Sequence, residues 1–221
     1  MIATVSRSQP RPGGSTTSRT TAGRAVAGCD VAVHVARAAA GDGCLPAVAR
    51  ELGEQLAADR LALPRSAVRI AAVEPSGRPT ILVQGRPAPA GISLSHIDGL
   101  VAAACRESGG VGIDLVDPAE AGRGLDFWFT PDELALEPDQ GLLRARLWAA
   151  KEAAYKAAGI DEELRPRTVT IESLSPGRFV WTARGRYAAA AGGGRFLTAG
   201  RHVVAVAAST PEPFTLEFAF A

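Results

Sequence analysis

Apolar and polar positions along this chain alternate in two successive patterns of the same kind. From about 45 to 62, Leu45, Val48, Leu52 and Leu56 recur at three- and four-residue intervals, predicting an amphipathic helix with Pro46 in its first turn. Short apolar runs follow at Val68–Val73, Ile81–Val83, Ile92–Leu94 and Leu100–Cys105. They are separated by Pro75-Ser-Gly-Arg-Pro79 and Gly85-Arg-Pro-Ala-Pro89, clusters that punctuate strands. The first half thus reads as a helix, then strands. The second half opens with Gly110-Val-Gly-Ile-Asp114-Leu-Val116, a predicted buried strand whose glycines permit close backbone approach. Thr130-Pro-Asp-Glu133 has the capping-box pattern with proline at the first helical position, so a short helix begins there. A longer helix is predicted from about Gln140 to Ala158, stopped by Gly159. Thr168–Leu174, Phe179–Ala183, His202–Ala208 and Phe214–Phe220 then read as strands.

The run Leu100-Val-Ala-Ala-Ala-Cys105 is echoed by Val203-Val-Ala-Val-Ala-Ala208, each closing a predicted strand hairpin. Segregated helices and antiparallel strands predict an α+β fold, organised as a pseudo-duplicated pair of lobes, each a helix packed on a small antiparallel sheet. The lobes are expected at 30–109 and 110–221, with the cleft between them as the default ligand site.

Composition narrows the class. With 47% hydrophobic and 21% charged residues the chain suits a soluble globular protein, and a net charge of +1 gives no global attraction to nucleic acid or a membrane. Cys29, Cys44 and Cys105 lack CxxC spacing and are odd in number, which points away from a zinc site or a disulfide framework and toward the reducing cytoplasm. Residues 1–29 hold Arg7, Arg11, Arg19 and Arg24, many small and hydroxyl residues and no acid before Asp30. This composition is shared by organelle transit peptides and disordered tails, and we read it as a tail. No run of 18 apolar residues offers a membrane span.

Charge placement points to chemistry. Of 24 Lys and Arg residues, 22 are arginine, and both lysines fall in Trp148-Ala-Ala-Lys151-Glu152-Ala-Ala-Tyr155-Lys156. Arginine does not replace lysine where a compact ammonium must meet a phosphate oxygen or fit beside a metal. An exposed helix is also an ordinary place for lysines. On the predicted helix Trp148, Glu152 and Lys156 share one face, with Lys151 and Tyr155 on the adjacent stripe. Asp114, between Ile113 and Leu115, is costly to bury unless a cation or strong donors meet it. Mg2+ takes one or two carboxylates together with phosphate oxygens and waters, so Asp114 and Glu152 are a candidate metal pair, with Lys151 and Lys156 beside the phosphates. Ser93-Leu-Ser95-His96 ends a strand and presents hydroxyls and an imidazole, and Arg78 in Gly77-Arg78-Pro79 is a second candidate phosphate contact. Structural histidines and turn-capping arginines are the competing accounts of His96 and Arg78.

Taken in order, Gly77-Arg78-Pro79, Ser93-Leu-Ser95-His96, Gly112-Ile-Asp114 and Trp148-Ala-Ala-Lys151-Glu152-Ala-Ala-Tyr155-Lys156 resemble the 4'-phosphopantetheinyl transferases, with 38 positions from Asp114 to Glu152. The resemblance runs from about 45 to 210 and is to the larger, surfactin-synthetase-activating type, a two-lobed monomer. It implies transfer of the phosphopantetheine arm of coenzyme A to a serine of an acyl or peptidyl carrier protein, releasing 3',5'-adenosine bisphosphate. The carriers would belong to fatty acid, polyketide or nonribosomal peptide biosynthesis. By position it implies Asp114 and Glu152 as Mg2+ ligands, and Lys156 and Lys151 as pyrophosphate contacts. It further implies Ser95 and His96 as 3'-phosphate contacts, Arg78 as a coenzyme A contact, and Glu152 as the base for the serine proton. A non-catalytic carrier-binding module on the same fold is the alternative.

Two positions depart from the pattern. Val116 stands where the larger type often has a second acid, and Asp117, one residue on, faces the other side of a regular strand. Ile97 follows His96 where a serine is frequent. Glu133 is expected to cap its helix. Phe127, Trp128 and Phe129 are expected to pack or to form an apolar rim for a carrier helix, beside Arg144 and Arg146.

Overall fold

A computed structural model describes residues 30–38, 44–74, 76–97, 99–136, 140–160, 162–175, 177–185, 189–210 and 213–220. The expected tail at 1–29 lies outside them. Strand β1 (Val31–Arg37) opens the fold and helix α1 (Leu45–Arg60) follows, with proline in its first turn. Strands β2 (Val68–Val73), β3 (Arg78–Val83), β4 (Arg86–Pro87), β5 (Gly91–Ile97) and β6 (Leu100–Arg106) complete the first half. The second contains β7 (Val111–Val116), α2 (Pro131–Leu134), α3 (Gln140–Ala158), β8 (Val169–Ser175), β9 (Arg178–Arg184), β10 (Ala189–Ala199), β11 (His202–Ala208) and β12 (Leu216–Phe220).

The fold is α+β. One sheet has the order β12-β1-β6-β5, a second β7-β11-β10-β9-β8, and a small third β2-β3-β4. The two large sheets face each other. Val31, Val33, Val35, Ala102 and Ala104 of the first pack against Ile113, Leu115, Val204 and Val206 of the second. Helix α1 covers the outer face of the first sheet, where Leu56 and Ala57 meet Ala103 and Cys105. Helix α3 covers the outer face of the second with Leu147, Ala150, Ala153 and Ala157. Strands β6 and β11 are therefore buried on both faces. That explains why their sequences are continuous small apolar runs without polar alternation: one side chain in two must fit under a helix and the other between sheets.

Three expectations need correction. The first half begins with a strand, not a helix, because Val31-Ala-Val-His-Val35 alternates and forms β1. The first sheet is not wholly antiparallel, since β12 pairs with β1 in parallel and returns the end of the second half to the first sheet. Strand β10 has no counterpart in the predicted elements. Its Ala-Gly-rich start carries little strand propensity, and pairing on both sides with β9 and β11 supplies what propensity does not. No described helix is long and apolar enough to cross a membrane.

Candidate functional site

Strand β7 sends alternate residues to opposite faces. Val111, Ile113 and Leu115 enter the core between the sheets, while Gly110, Gly112 and Asp114 lie under α3. A Cβ on Gly112 would stand 1.8 Å from the Ala153 carbonyl oxygen, and one on Gly110 1.9 Å from that of Ala157. The helix therefore rests on bare strand backbone and presents alanines to it. The first side chain beyond this contact is Asp114. Lys156, on α3, donates to Asp114 Oδ1 at 2.7 Å and to the Ile113 carbonyl at 3.1 Å. Gly159, at φ +70°, then ends the helix in a conformation that favours glycine.

Asp114 is buried and receives a second bond at Oδ1, 3.1 Å from the Ser95 hydroxyl. Glu152 is half-buried in the same group. Burial pushes its carboxyl above the ordinary range; Lys156 pulls it back and Asp114 pushes it further. The Lys156 ammonium is bonded to Asp114 and lies close enough to Glu152 to act on it electrostatically. Mg2+ prefers such oxygen donors, and a pair of acids with no imidazole or thiolate among them fits that ion. Among the described residues no cluster of three or more His, Cys, Asp or Glu side chains is spaced to hold a metal. Val116 lies in the core beneath α3. Asp117 is engaged elsewhere, 2.6 Å from Arg201.

Lys156 also lines a cleft of about 680 Å³ built from both halves. The start of β3 contributes Arg78, the approach to β5 contributes Pro89 and Ala90, the end of α3 contributes Tyr155, and the segment after it Ile160. Arg78 lies over the Tyr155 ring, its guanidinium carbon 5.9 Å from the centroid. The Tyr155 hydroxyl donates to the Glu162 carbonyl, tying the segment after α3 to this wall. Arg78 and Lys156 give the cleft a cation from each half.

Three expected ligand contacts are placed differently. Lys151 is 2% exposed, and its ammonium donates to Glu133 Oε1 at 2.8 Å and the Val169 carbonyl at 2.5 Å. Its side chain leaves α3 for the core and is not among the described residues lining the cleft. Burial lowers its pKa and Glu133 opposes that shift. Ser95 is buried, its hydroxyl donating to Asp114 Oδ1 and accepting from the Leu115 N–H. His96 is exposed on the opposite face of β5 and is not among the described residues lining the cleft.

Glu133 does more than was read from its motif. The capping box with Thr130 is present, and the same carboxylate accepts from Ile171 N–H at 2.8 Å and pairs with Lys151. Phe127 is exposed and Trp128 stacks between it and Trp148, with centroid separations of 4.9 and 5.2 Å. Arg144 is paired with Asp126 at 2.6 Å. Residues 110–207 match the family described as the 4'-phosphopantetheinyl transferase superfamily. No curated protein matches the chain.

Proposed function

We propose that this protein transfers the 4'-phosphopantetheine arm of coenzyme A to a serine of an acyl or peptidyl carrier protein in a Mg2+-dependent reaction. The observation that carries this reading is the Lys156 ammonium, which bonds Asp114 Oδ1 and also lines the two-sided cleft, one helical turn from Glu152 and inside the segment that matches the transferase superfamily. Asp114 and Glu152 would hold Mg2+, which when bound supplies positive charge against the pyrophosphate of coenzyme A. Lys156 reaches from α3 to Asp114 and to the cleft, and holds a phosphate oxygen where negative charge grows on the leaving group. Glu152 accepts the serine proton, directly or through a water. Arg78, laid over the Tyr155 ring in the cleft wall, would supply a further cation for coenzyme A.

The larger, two-lobed type of the family is supported by the repeated order of elements. In each half a strand, a helix and antiparallel strands lead to a central small-residue strand, β6 in one and β11 in the other. The buried carboxylate Glu54 accepts from Ile70 N–H on β2, as Glu133 does from Ile171 N–H on β8. We read this as a duplicated unit.

The test is direct. Purified protein, coenzyme A, Mg2+ and a panel of apo carriers from fatty acid, polyketide and nonribosomal peptide systems are incubated, and carrier masses are measured. A gain of one phosphopantetheine arm on the carrier serine is expected. No gain on any carrier sinks the reading, and tight carrier binding without a gain points to the binding module.

A further inference from the structure

The two large sheets meet at their edges as well as their faces. Strand β7 pairs with β11 on one side only, and its other edge runs beside β5, itself the edge of the first sheet. Among the described residues no ladder joins β5 to β7. Two serines of β5 take its place: Ser93 Oγ accepts from Ile113 N–H at 3.1 Å, and Ser95 Oγ accepts from Leu115 N–H at 3.2 Å. Both serines are buried.

Their hydroxyl protons differ in destination. A serine hydroxyl has one proton to donate. That of Ser95 goes to Asp114 Oδ1 at 3.1 Å, while Ser93 makes no contact with a carboxylate. Because the Leu115 N–H occupies one lone pair of the Ser95 oxygen, the remaining proton is directed at Asp114. Lys156 donates to the same Oδ1 from the other side, and no described residue donates to Oδ2. The carboxylate is thereby held at Oδ1 by two donors.

We propose that Ser95 is a positioning residue for Asp114, fixing the carboxylate so that it presents an oxygen to a divalent cation. The proposal rests on the reading of Asp114 and Glu152 as a metal pair. Partners that hold a ligating carboxylate commonly contribute about 10- to 100-fold in metal affinity. Ser93 provides an internal control, since it makes the same kind of strand contact without touching the acid.

The experiment titrates Mn2+ as the probe into the full-length wild-type protein, Ser95→Ala and Ser93→Ala, following free Mn2+ by electron paramagnetic resonance and checking each fold by circular dichroism. Ser95→Ala is expected to weaken Mn2+ binding by about 10- to 100-fold, with Ser93→Ala close to wild type. Equal weakening in both variants, no change in Ser95→Ala, or no Mn2+ binding by the wild type overturns the proposal. Should Ser95→Ala not fold, Ser95→Cys keeps a weak donor of similar shape and is expected to bind with intermediate affinity; wild-type affinity there overturns the proposal as well. A selective loss in Ser95→Ala without any carrier modification by the wild type would instead support the positioning role and sink the transferase reading.

Discussion

Lys151 and Glu133 form a 2.8 Å ion pair in which both side chains are almost fully enclosed, 3% and 1% exposed. The pair joins α2 to α3, and through Ile171 N–H and the Val169 carbonyl it also holds the start of β8. One of the two lysines in the chain is therefore structural, and it fixes the helix that carries the other. Removing one member of such a pair leaves an uncompensated buried charge, which costs about 3–5 kcal/mol. Lys151→Met is expected to lose stability on that scale in urea titration. In Lys151→Met/Glu133→Gln, where the amide oxygen still accepts from Ile171 N–H, part of the loss is expected to return. Simple additivity of the two single variants would show that they are not coupled.

Lys156 is expected to behave differently. Lys156→Ala leaves Asp114 without its ammonium partner, and kcat/KM for carrier modification should fall by about 10²- to 10³-fold, the range for loss of one charge-stabilising donor. Lys156→Arg keeps the charge but not the compact head that reaches both Asp114 and the Ile113 carbonyl, and its rate should stay well below wild type. A full rate for the arginine variant would show that lysine is not specifically needed.

Gly112 controls how closely α3 approaches β7. An alanine there would drive its Cβ into the backbone carbonyl of Ala153, which cannot rotate away, so α3 must shift. The expected loss is about 1–3 kcal/mol or more in urea unfolding, with transfer activity falling in the protein that remains folded, because Glu152 and Lys156 ride on the displaced helix. Wild-type stability would mean that the helix does not rest on the strand as described.

Cys105 sets an alkaline dependence. Burial pushes its thiol up to about 12 from a reference of 9.0, Arg60 opposing the shift and Glu107 adding to it. Between those values the folded state keeps the proton that the unfolded chain releases, so folding stability must fall as pH rises above about 9, by at most ~1.4 kcal/mol per pH unit from this group. Below 9 the thiol contributes no slope. Comparing urea midpoints of wild type and Cys105→Ala from pH 8.5 to 10 checks this: the variant should show the shallower decline. In native protein at pH 8, alkylation followed by peptide mapping should label the exposed Cys44 and spare Cys105.

Much of this architecture is legible in local pattern. Gln140–Ala158 and its stop at Gly159, the helix beginning at Leu45, and strands such as Val68–Val73 and His202–Ala208 follow from periodicity and punctuation, because these signals act between residues near in sequence. Strand β10 does not, since three consecutive glycines hide a strand that its neighbours impose. Nor does the parallel pairing of β12 with β1, whose partners stand at opposite ends of the chain.

The site divides along the same line. The residue types of Asp114, Glu152 and Lys156, and the spacing that puts the last two on one helix face, are properties of the sequence. Which lysine meets the acid is not: positions 151 and 156 carry identical side chains, and only the packing of α3 on β7 and β8 turns one toward Asp114 and buries the other against Glu133. Ser95 was recognisable as a polar residue at a strand end, but its bond to Asp114 exists because two sheet edges from different halves lie side by side. Sequence determined the chemical groups and their local order. The tertiary structure decided their partners, because a buried charge or hydroxyl takes its role from whatever the fold brings within hydrogen-bond distance.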